Sequence, residues 1–302
     1  MRSEKVNAGY LSPESDESLS VDSIIGAEEA WRPKAFDPPS DAVAKAVAAN
    51  VKKSKSNNVL LTAVANNGMA DYTLNWIESL KRCKLDDKYL VFAIDQALVD
   101  TMTKNGYGDH VIMIPEDWFH QKLDDKFAKW QDKSYTPITH SKTLVVERLL
   151  YMDITVWFSD VDIVFMSPEI YNYLIFKLSS RKTTEALYSQ ETEQHIINSG
   201  FYVMRPTDLN KKVLHDSIVI QDHRPDVTQQ GAINMVLDEI NLSYHSSPIA
   251  LLDLALFPQG RLYFERNIPV KYGFQPMIVH ANYRIGEEKK KSLQDAKLWY
   301  ID

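Results

Sequence analysis

From Asn58 onward the chain alternates short apolar runs with helical segments, and most of the runs stop at a polar group. Val59-Leu60-Leu61-Thr62-Ala63-Val64 leads into Asn66-Asn67-Gly68, and Tyr89 to Ile94 stops at Asp95. Val111 to Ile114 is a third run, and Thr155 to Phe158 a fourth that stops at Ser159-Asp160-Val161-Asp162. Between them, Tyr72 to Cys83 carries Leu74, Ile77 and Leu80 at helical spacing, Val99 to Asn105 reads as a short helix, and Ser141 to Met152 is packed by Leu144, Val145, Leu149 and Leu150. Strands alternating with helices predict an α/β fold around a largely parallel central sheet. Ligands of open α/β sheets bind beyond the carboxyl ends of the strands. Asn66, Asn67, Asp95, Asp160 and Asp162 all fall there.

A chain of 302 residues can bury a stable core without disulfides. Cys83 is the only cysteine, which excludes a disulfide framework and a multi-cysteine zinc site. The net charge of −7 argues against a nucleic-acid partner, which needs clustered Lys and Arg. No window offers the ~18 apolar residues of a membrane span, and the start Met-Arg-Ser-Glu-Lys-Val lacks the apolar core of a signal peptide. Residues 1–57 are rich in Ser, Glu, Asp and Pro and read as a stem or tail, mobile or laid over the surface of a single domain spanning 58–302. Within this tail Asp41 to Lys53 reads as a short helix. Phe119 to Thr139, with Trp118, Trp130 and Tyr135, reads as an acceptor or lid loop, or as plain packing. Asn241-Leu242-Ser243 matches the N-glycosylation sequon, at a frequency near chance.

Asp160-Val161-Asp162 lies between the apolar run Thr155 to Phe158 and a second, Ile163 to Met166. An Asp-x-Asp pattern alone carries little information; its position carries more. Two carboxylates at i and i+2 between hydrophobic stretches are costly to bury unpaired, and a hard cation such as Mn²⁺ or Mg²⁺ offsets that cost. The other reading is a solvated strand-end turn that caps the next helix. Two enzyme classes carry such a motif on a strand. A phosphotransferase of the haloacid-dehalogenase type uses Asp-x-Asp-x-Thr/Val, which Asp160 to Val164 matches, with Asp160 as nucleophile and Asp162 as acid/base. That fold places the motif near its N-terminus with a Gly-Asp acidic cluster after it; here the motif is mid-chain and no Gly-Asp follows. A metal-dependent nucleotide-sugar glycosyltransferase binds the nucleotide with the half before the motif and the sugar and acceptor with the half after it, which the mid-chain position suits.

Downstream, Asn198-Ser199-Gly200 precedes the apolar run Phe201 to Met204. It reads as a plain turn, or as short hydrogen-bonding groups for sugar hydroxyls beside a glycine that permits close approach. Thr228-Gln229-Gln230-Gly231 opens a helix, where the glutamines hold sugar hydroxyls or simply cap. Pro276 to His280 is an apolar run that ends in histidine, and Gly286 and Lys289-Lys290-Lys291 follow. A neutral imidazole completes a metal site begun by carboxylates. A glycine admits a diphosphate, and a lysine neutralises it.

Taken together and in order, these residues resemble a known family. The chain from about Val59 to Trp299 is similar to nucleotide-diphospho-sugar transferases of the plant and protist α-xylosyl, galactosyl and arabinosyl type, glycosyltransferase family 77-like. The resemblance rests on Phe158 to Val164, Asn198-Ser199-Gly200-Phe201, His280-Ala281-Asn282-Tyr283 through Gly286 and Lys289 to Leu298-Trp299, the first strand with Thr62 and Asn66, and Lys142. It implies a GT-A fold: one Rossmann-like domain with a central mixed, mostly parallel sheet. It further implies retention of anomeric configuration, a divalent metal, typically Mn²⁺, and a UDP-sugar donor (UDP-xylose, UDP-galactose or a UDP-arabinose type). The acceptor would be a hydroxyl on a glycan, a protein or a small molecule. A nucleotide-sugar-binding protein without turnover is a third alternative. By position, Asp160, Asp162 and His280 are implied metal ligands, with Asp160 also reaching the ribose. Thr62, Ala63, Val64 and Asn66 would line the nucleotide, Asn198, Ser199 and Gly200 the donor, and Lys142, Gly286 and Lys289 the diphosphate or sugar. The family usually has Asp-Gln where this chain has Gln229-Gln230, so a carboxylate is missing and Asp226 becomes a substitute candidate. Relatives of this type are commonly anchored in the Golgi, which sets the expected compartment as the Golgi lumen if an anchor has been removed, and otherwise as soluble cytoplasm.

Overall fold

The apolar runs beginning at Val59, Tyr89, Val111, Thr155 and Ile163 all form strands. The structure, a computed structural model, describes residues 21–26, 30–54, 58–119, 135–191, 196–224, 226–240 and 247–302. The strands are β1 (Lys52–Lys53), β2 (Asn58–Ala65), β3 (Tyr89–Ala93), β4 (Val111–Met113), β5 (Thr155–Ser159), β6 (Ile163–Phe165), β7 (Ala186–Gln190), β8 (Ile197–Met204), β9 (Ile249–Leu251) and β10 (Ile278–His280). The helices are α1 (Val21–Ile25), α2 (Asp41–Asn50), α3 (Ala70–Arg82), α4 (Gln96–Lys104), α5 (Tyr135–Tyr151), α6 (Ile170–Ser180), α7 (Asp208–His223), α8 (Gln229–Glu239), α9 (Ile268–Lys271) and α10 (Gly286–Asp295).

The main sheet has the order β4-β3-β2-β5-β8-β7-β9, with β1 paired to the start of β2. β2 to β5 run parallel to one another along this path, β8 is antiparallel to both β5 and β7, and β9 is parallel to β7. The fold is therefore α/β with a mixed sheet whose first half is parallel. β6 and β10 form a separate antiparallel pair.

Period-2 alternation divides the buried side chains between the two sheet faces. Leu60, Val64, Leu90, Phe92, Val156 and Phe158 face one core, which α5, α7 and α8 cover with Val145, Leu149, Val213 and Ile233. Leu61, Ala63, Val91, Trp157, Phe201 and Val203 face the other, covered by Trp76 and Leu80 of α3, Leu98 of α4 and Leu174 of α6. A smaller cluster of Val164, Val279, Ala281, Leu293 and Leu298 lies between the β6–β10 pair and α10.

Several boundaries differ from the sequence reading. α4 begins at Gln96, because Asp95 caps it by accepting from the Leu98 N–H at 2.9 Å. Asp95 also accepts from the Asn67 N–H, so this strand-end carboxylate braces two loops. α5 begins at Tyr135, inside the segment expected to be an irregular loop. Trp118, expected on that loop, is 2% exposed and packs against Phe92 in the core. Residues 120–134, with Trp130, and 241–246, with the sequon, lie outside the described residues. β7 was not read from the sequence because Tyr188, Ser189 and Gln190 look like a surface segment, yet all are buried. Among the described residues, no helix is long and apolar enough to cross a membrane.

Part of the expected tail belongs to the packed body. Val43, Val47 and Val51 enter the same core as Leu60 and Phe92, and Val21 and Ile25 of α1 join it beside α7. α2 is capped by Ser40, whose hydroxyl accepts from the Val43 N–H. Replacing Val47, 3% exposed, by Asp buries an unpaired charge. Urea denaturation should show a loss of about 2 kcal/mol or more for Val47→Asp, against about 0.5 kcal/mol or less for the exposed neighbour Ala48→Asp. Equal, small effects would mean that residues 41–53 contribute no core.

Candidate active site

The site is assembled by two strand pairings. β5 and β8 pair antiparallel with Ser159 opposite Phe201, and the Asp160 N–H donates to the Gly200 carbonyl at 2.7 Å. This sets Asp160 beside Asn198-Ser199-Gly200, which lies within β8 at a register shift opposite Tyr188 and Ser189, not in a turn before it. β6 and β10 pair with His280 opposite Ile163, and the Ala281 N–H donates to the Asp162 carbonyl at 3.0 Å. The histidine is thereby fixed next to the second aspartate.

The result is a group of ionisable side chains at one sheet end. The ligand atoms of Asp160, Asp162 and His280 all lie within 4.8 Å of one another. His280 Nε2 is 3.2 Å from Asp162 Oδ1 and 4.0 Å from Asp160 Oδ2. Lys142 of α5 donates to Asp160 Oδ1 at 2.5 Å, and Lys289 of α10 to Asp162 Oδ2 at 2.5 Å. Burial raises the pKa of the Asp162 carboxyl, but Lys289 and His280 outweigh it and hold the group well below its usual range. Burial likewise pulls Lys289 down, and the Asp162 carboxylate more than reverses this, leaving it raised. Both groups are charged at neutral pH. Two carboxylates and an imidazole are the donor set of Mn²⁺ or Mg²⁺ sites, so the residues present fit such an ion.

Gly200 is required by this closeness. A Cβ there would stand 2.6 Å from His280 Cε1, 2.7 Å from Asp160 Oδ2 and 3.0 Å from Asn198 Oδ1. Gly260 is a second such contact, missed in the sequence. Its N–H donates to Asn282 Oδ1 at 2.7 Å, and a Cβ would overlap the Asn282 carbonyl, which follows the histidine strand.

Next to the lysine-paired aspartates lies a second network, in which amides and a phenol meet one carboxylate. Glu191, 5% exposed, follows β7 and accepts from Asn198 Nδ2 at 2.7 Å, from Gln230 Nε2 at 3.0 Å and from the Tyr283 hydroxyl. The other ends of both amides take backbone donors: Asn198 Oδ1 accepts from the Gly200 N–H, and Gln230 Oε1 from the Ser199 N–H. The sequence reading missed Glu191. No apolar run ends at it, because Ser189 and Gln190 stand before it, so the signal that marked Asp95 and Asp160 is absent there.

The remaining expected residues are placed as follows. Thr62, Ala63 and Val64 are inside β2, and the Thr62 hydroxyl donates to the Leu90 carbonyl, so the polar groups β2 presents at its end are those of Asn66 and Asn67. Gln229 is 2% exposed and turned inward, whereas Gln230 reaches the network. Asp226 is an exposed residue chelated by Arg224, whose hydrogen bonds lower its pKa. Gly286 opens α10 with φ 54°, and its carbonyl accepts from the Tyr72 hydroxyl. Cys83 is buried and its thiol is pushed up to about 11, so it is inert at neutral pH.

Residues 84–294 match the family model described as nucleotide-diphospho-sugar transferase. The chain is 25% identical over 284 residues to UDP-galactose:fucoside alpha-3-galactosyltransferase of Dictyostelium discoideum, covering 81% of this chain and 43% of that protein. It is 27% identical over 271 residues to UDP-D-xylose:L-fucose alpha-1,3-D-xylosyltransferase 1 of Arabidopsis thaliana, covering 82% and 72%. The chain thus spans less than half the length of the Dictyostelium relative. Among solved structures, the glycosyltransferase GlyE of Streptococcus pneumoniae aligns with a TM-score of 0.51 at 12% identity, over 80% of this chain and 60% of that one. The bifunctional glycosyltransferase WbbM aligns at 0.50 and 10% identity, over 82% and 52%. These likenesses show the GT-A fold.

The close contacts at residue 200 give a direct test of the metal reading. Gly200→Ala should weaken Mn²⁺ binding about tenfold or more, measured by calorimetry or by electron paramagnetic resonance of free Mn²⁺. Unchanged Mn²⁺ affinity in a folded Gly200→Ala variant would mean that Asp160 and His280 do not share an ion.

Proposed function

The chain belongs to the nucleotide-diphospho-sugar transferase family, and we propose that this protein is a retaining, metal-dependent glycosyltransferase that moves a sugar from a UDP-sugar to a hydroxyl acceptor. The observation that carries this reading is the convergence of Asp160, Asp162, His280, Lys142 and Lys289 at one end of the sheet. The names of the relatives make UDP-xylose and UDP-galactose the first donors to test, with a UDP-arabinose type next. The acceptor hydroxyl belongs to a glycan, a protein or a small molecule. The compartment we propose, on the family resemblance alone, is the Golgi lumen if an anchor accompanies the chain and otherwise the soluble cytoplasm.

Asp160, Asp162 and His280 would hold Mn²⁺ or Mg²⁺, which supplies charge to the departing diphosphate. Lys142 and Lys289 lie against the same carboxylates and would add cationic donors where negative charge develops in the transition state. The carboxyl end of β2, with Asn66, would seat the nucleotide. Asn198, Ser199, Gly200 and Gln230 would bind the sugar. In the transfer step the acceptor oxygen bonds to the anomeric carbon on the face from which the diphosphate leaves. The bond from the anomeric carbon to the phosphate oxygen breaks, and that oxygen takes the acceptor proton. The roles weighed for Gln229 and Asp226 are secondary in this scheme, since one is buried and the other is chelated by Arg224 at the surface.

The phosphotransferase reading of Asp160 and Asp162 leaves His280 without a role, although its Nε2 lies 3.2 Å from Asp162 and 4.0 Å from Asp160. The transferase reading uses all three. A non-catalytic binder is separated from an enzyme by turnover. Asp160→Ala and Asp162→Ala should each lower donor hydrolysis and transfer by about 100-fold or more while the far-ultraviolet circular dichroism is kept. Wild-type rates in either variant would sink the assignment.

Calorimetry with UDP gives an independent readout, because a metal-bridged diphosphate binds better when the metal is present. UDP affinity should rise about tenfold or more on adding Mn²⁺ to chelator-treated protein. Equal affinity with and without the ion would argue against the metal site.

A further inference from the structure

Glu191 is a buried carboxylate whose side-chain partners among the described residues are two amides and a phenol. A buried acid persists only where its hydrogen bonds are well made. An ionised carboxylate can only accept, whereas an amide side chain has one donating and one accepting end. Glu191 at one end and two backbone N–H groups at the other therefore fix which way Asn198 and Gln230 face. Both NH₂ groups turn to Glu191 Oε1, and both carbonyl ends turn to the backbone N–H groups of Gly200 and Ser199. Those N–H groups belong to the segment that lies against Asp160 and His280. Beyond these bonds each amide group has capacity for one more N–H donated and one more bond accepted.

We propose that Glu191 is the positioning residue that sets donor-sugar selectivity, by fixing the donor and acceptor pattern that Asn198 and Gln230 present to the sugar hydroxyls. The inference rests on the transferase reading and adds to it a residue and a cause for discrimination. The sugar half of the site is separate from the charged half: Glu191 contacts Asn198, Gln230 and Tyr283, while Lys142 and Lys289 contact the aspartates. Tyr283 comes from the segment after β10 and has φ 60°, so the histidine strand itself is tied to this carboxylate. A glutamine at 191 has nearly the same shape but one acceptor oxygen in place of two. It cannot accept from both amides and from Tyr283 at once, so either the amides or the phenol lose their anchor.

The test uses the full chain with Mn²⁺ and compares hydrolysis of UDP-xylose and UDP-galactose. In Glu191→Gln the ratio of kcat/KM for the two donors should change about tenfold or more, with UDP affinity within about twofold of wild type. Tyr283→Phe removes one donor to Glu191 and should move the ratio in the same direction by less. An unchanged ratio in a folded Glu191→Gln protein overturns the proposal. So does a parallel fall in both donors together with UDP affinity and Tm, which is what a merely structural role would produce. If wild type neither binds UDP with Mn²⁺ nor hydrolyses either donor, the transferase reading itself fails and this inference falls with it.

Discussion

The burial of Asp162 is the constraint on which the rest of the site depends. A carboxylate 7% exposed between two apolar strands is tolerated only when opposite charge and hydrogen bonds surround it. Lys289 and His280 supply them, and each comes from an element far along the chain. The β6–β10 pair exists to hold that arrangement: its residues are few, but they close the cluster of Val164, Val279, Ala281 and Leu293 beneath the ionised groups. An apolar floor also strengthens every electrostatic interaction above it, because water is kept out on that side.

Gly200 and Gly260 show how backbone closeness serves the same end. At Gly200 the β8 backbone approaches so near Asp160 and His280 that no side chain fits between. At Gly260 a neighbouring segment does the same against Asn282. A group that joins the side chains of residues 160 and 280 needs its strands to converge, and convergence leaves no room for Cβ atoms at the crossing points. Trp76 adds rigidity from the other side. Its indole N–H donates to the Ser159 hydroxyl, which in turn donates to the Asp160 carbonyl.

The parallel half of the sheet could be read from the sequence because its strands are buried on both faces and appear as unbroken apolar runs. Asp160, Asp162, Lys142, His280 and Lys289, which meet in the structure, were marked by an acidic pair after such a run, by a histidine ending another, and by the family resemblance. β7 and Glu191 were hidden because their buried polar residues are satisfied by partners distant in sequence, and local pattern cannot reveal that. Tyr188, Ser189 and Gln190 look solvent-facing until β8 and β9 cover them. The tail boundary failed to show for a related reason. Val43 and Val47 sit among alanines, and only the sheet beside them explains why two valines four residues apart matter.

Charge explains how an acidic protein could serve the anionic donor proposed for it. Within the site, the carboxylates of Asp160 and Asp162 are matched by the ammonium groups of Lys142 and Lys289, so the group is close to neutral before any ligand is counted. A divalent cation placed on such a group contributes its full two positive charges, and the two bridging phosphates of a nucleotide sugar carry two negative ones. The net charge of −7 belongs to the surface, where it is screened beyond about 8 Å in physiological salt. The neutral amides around Glu191 would follow the same logic under the proposed function, where a sugar offers hydroxyls and no charge. Recognition of hydroxyls depends on which end of an amide faces them, and a buried acceptor together with backbone N–H groups settles that.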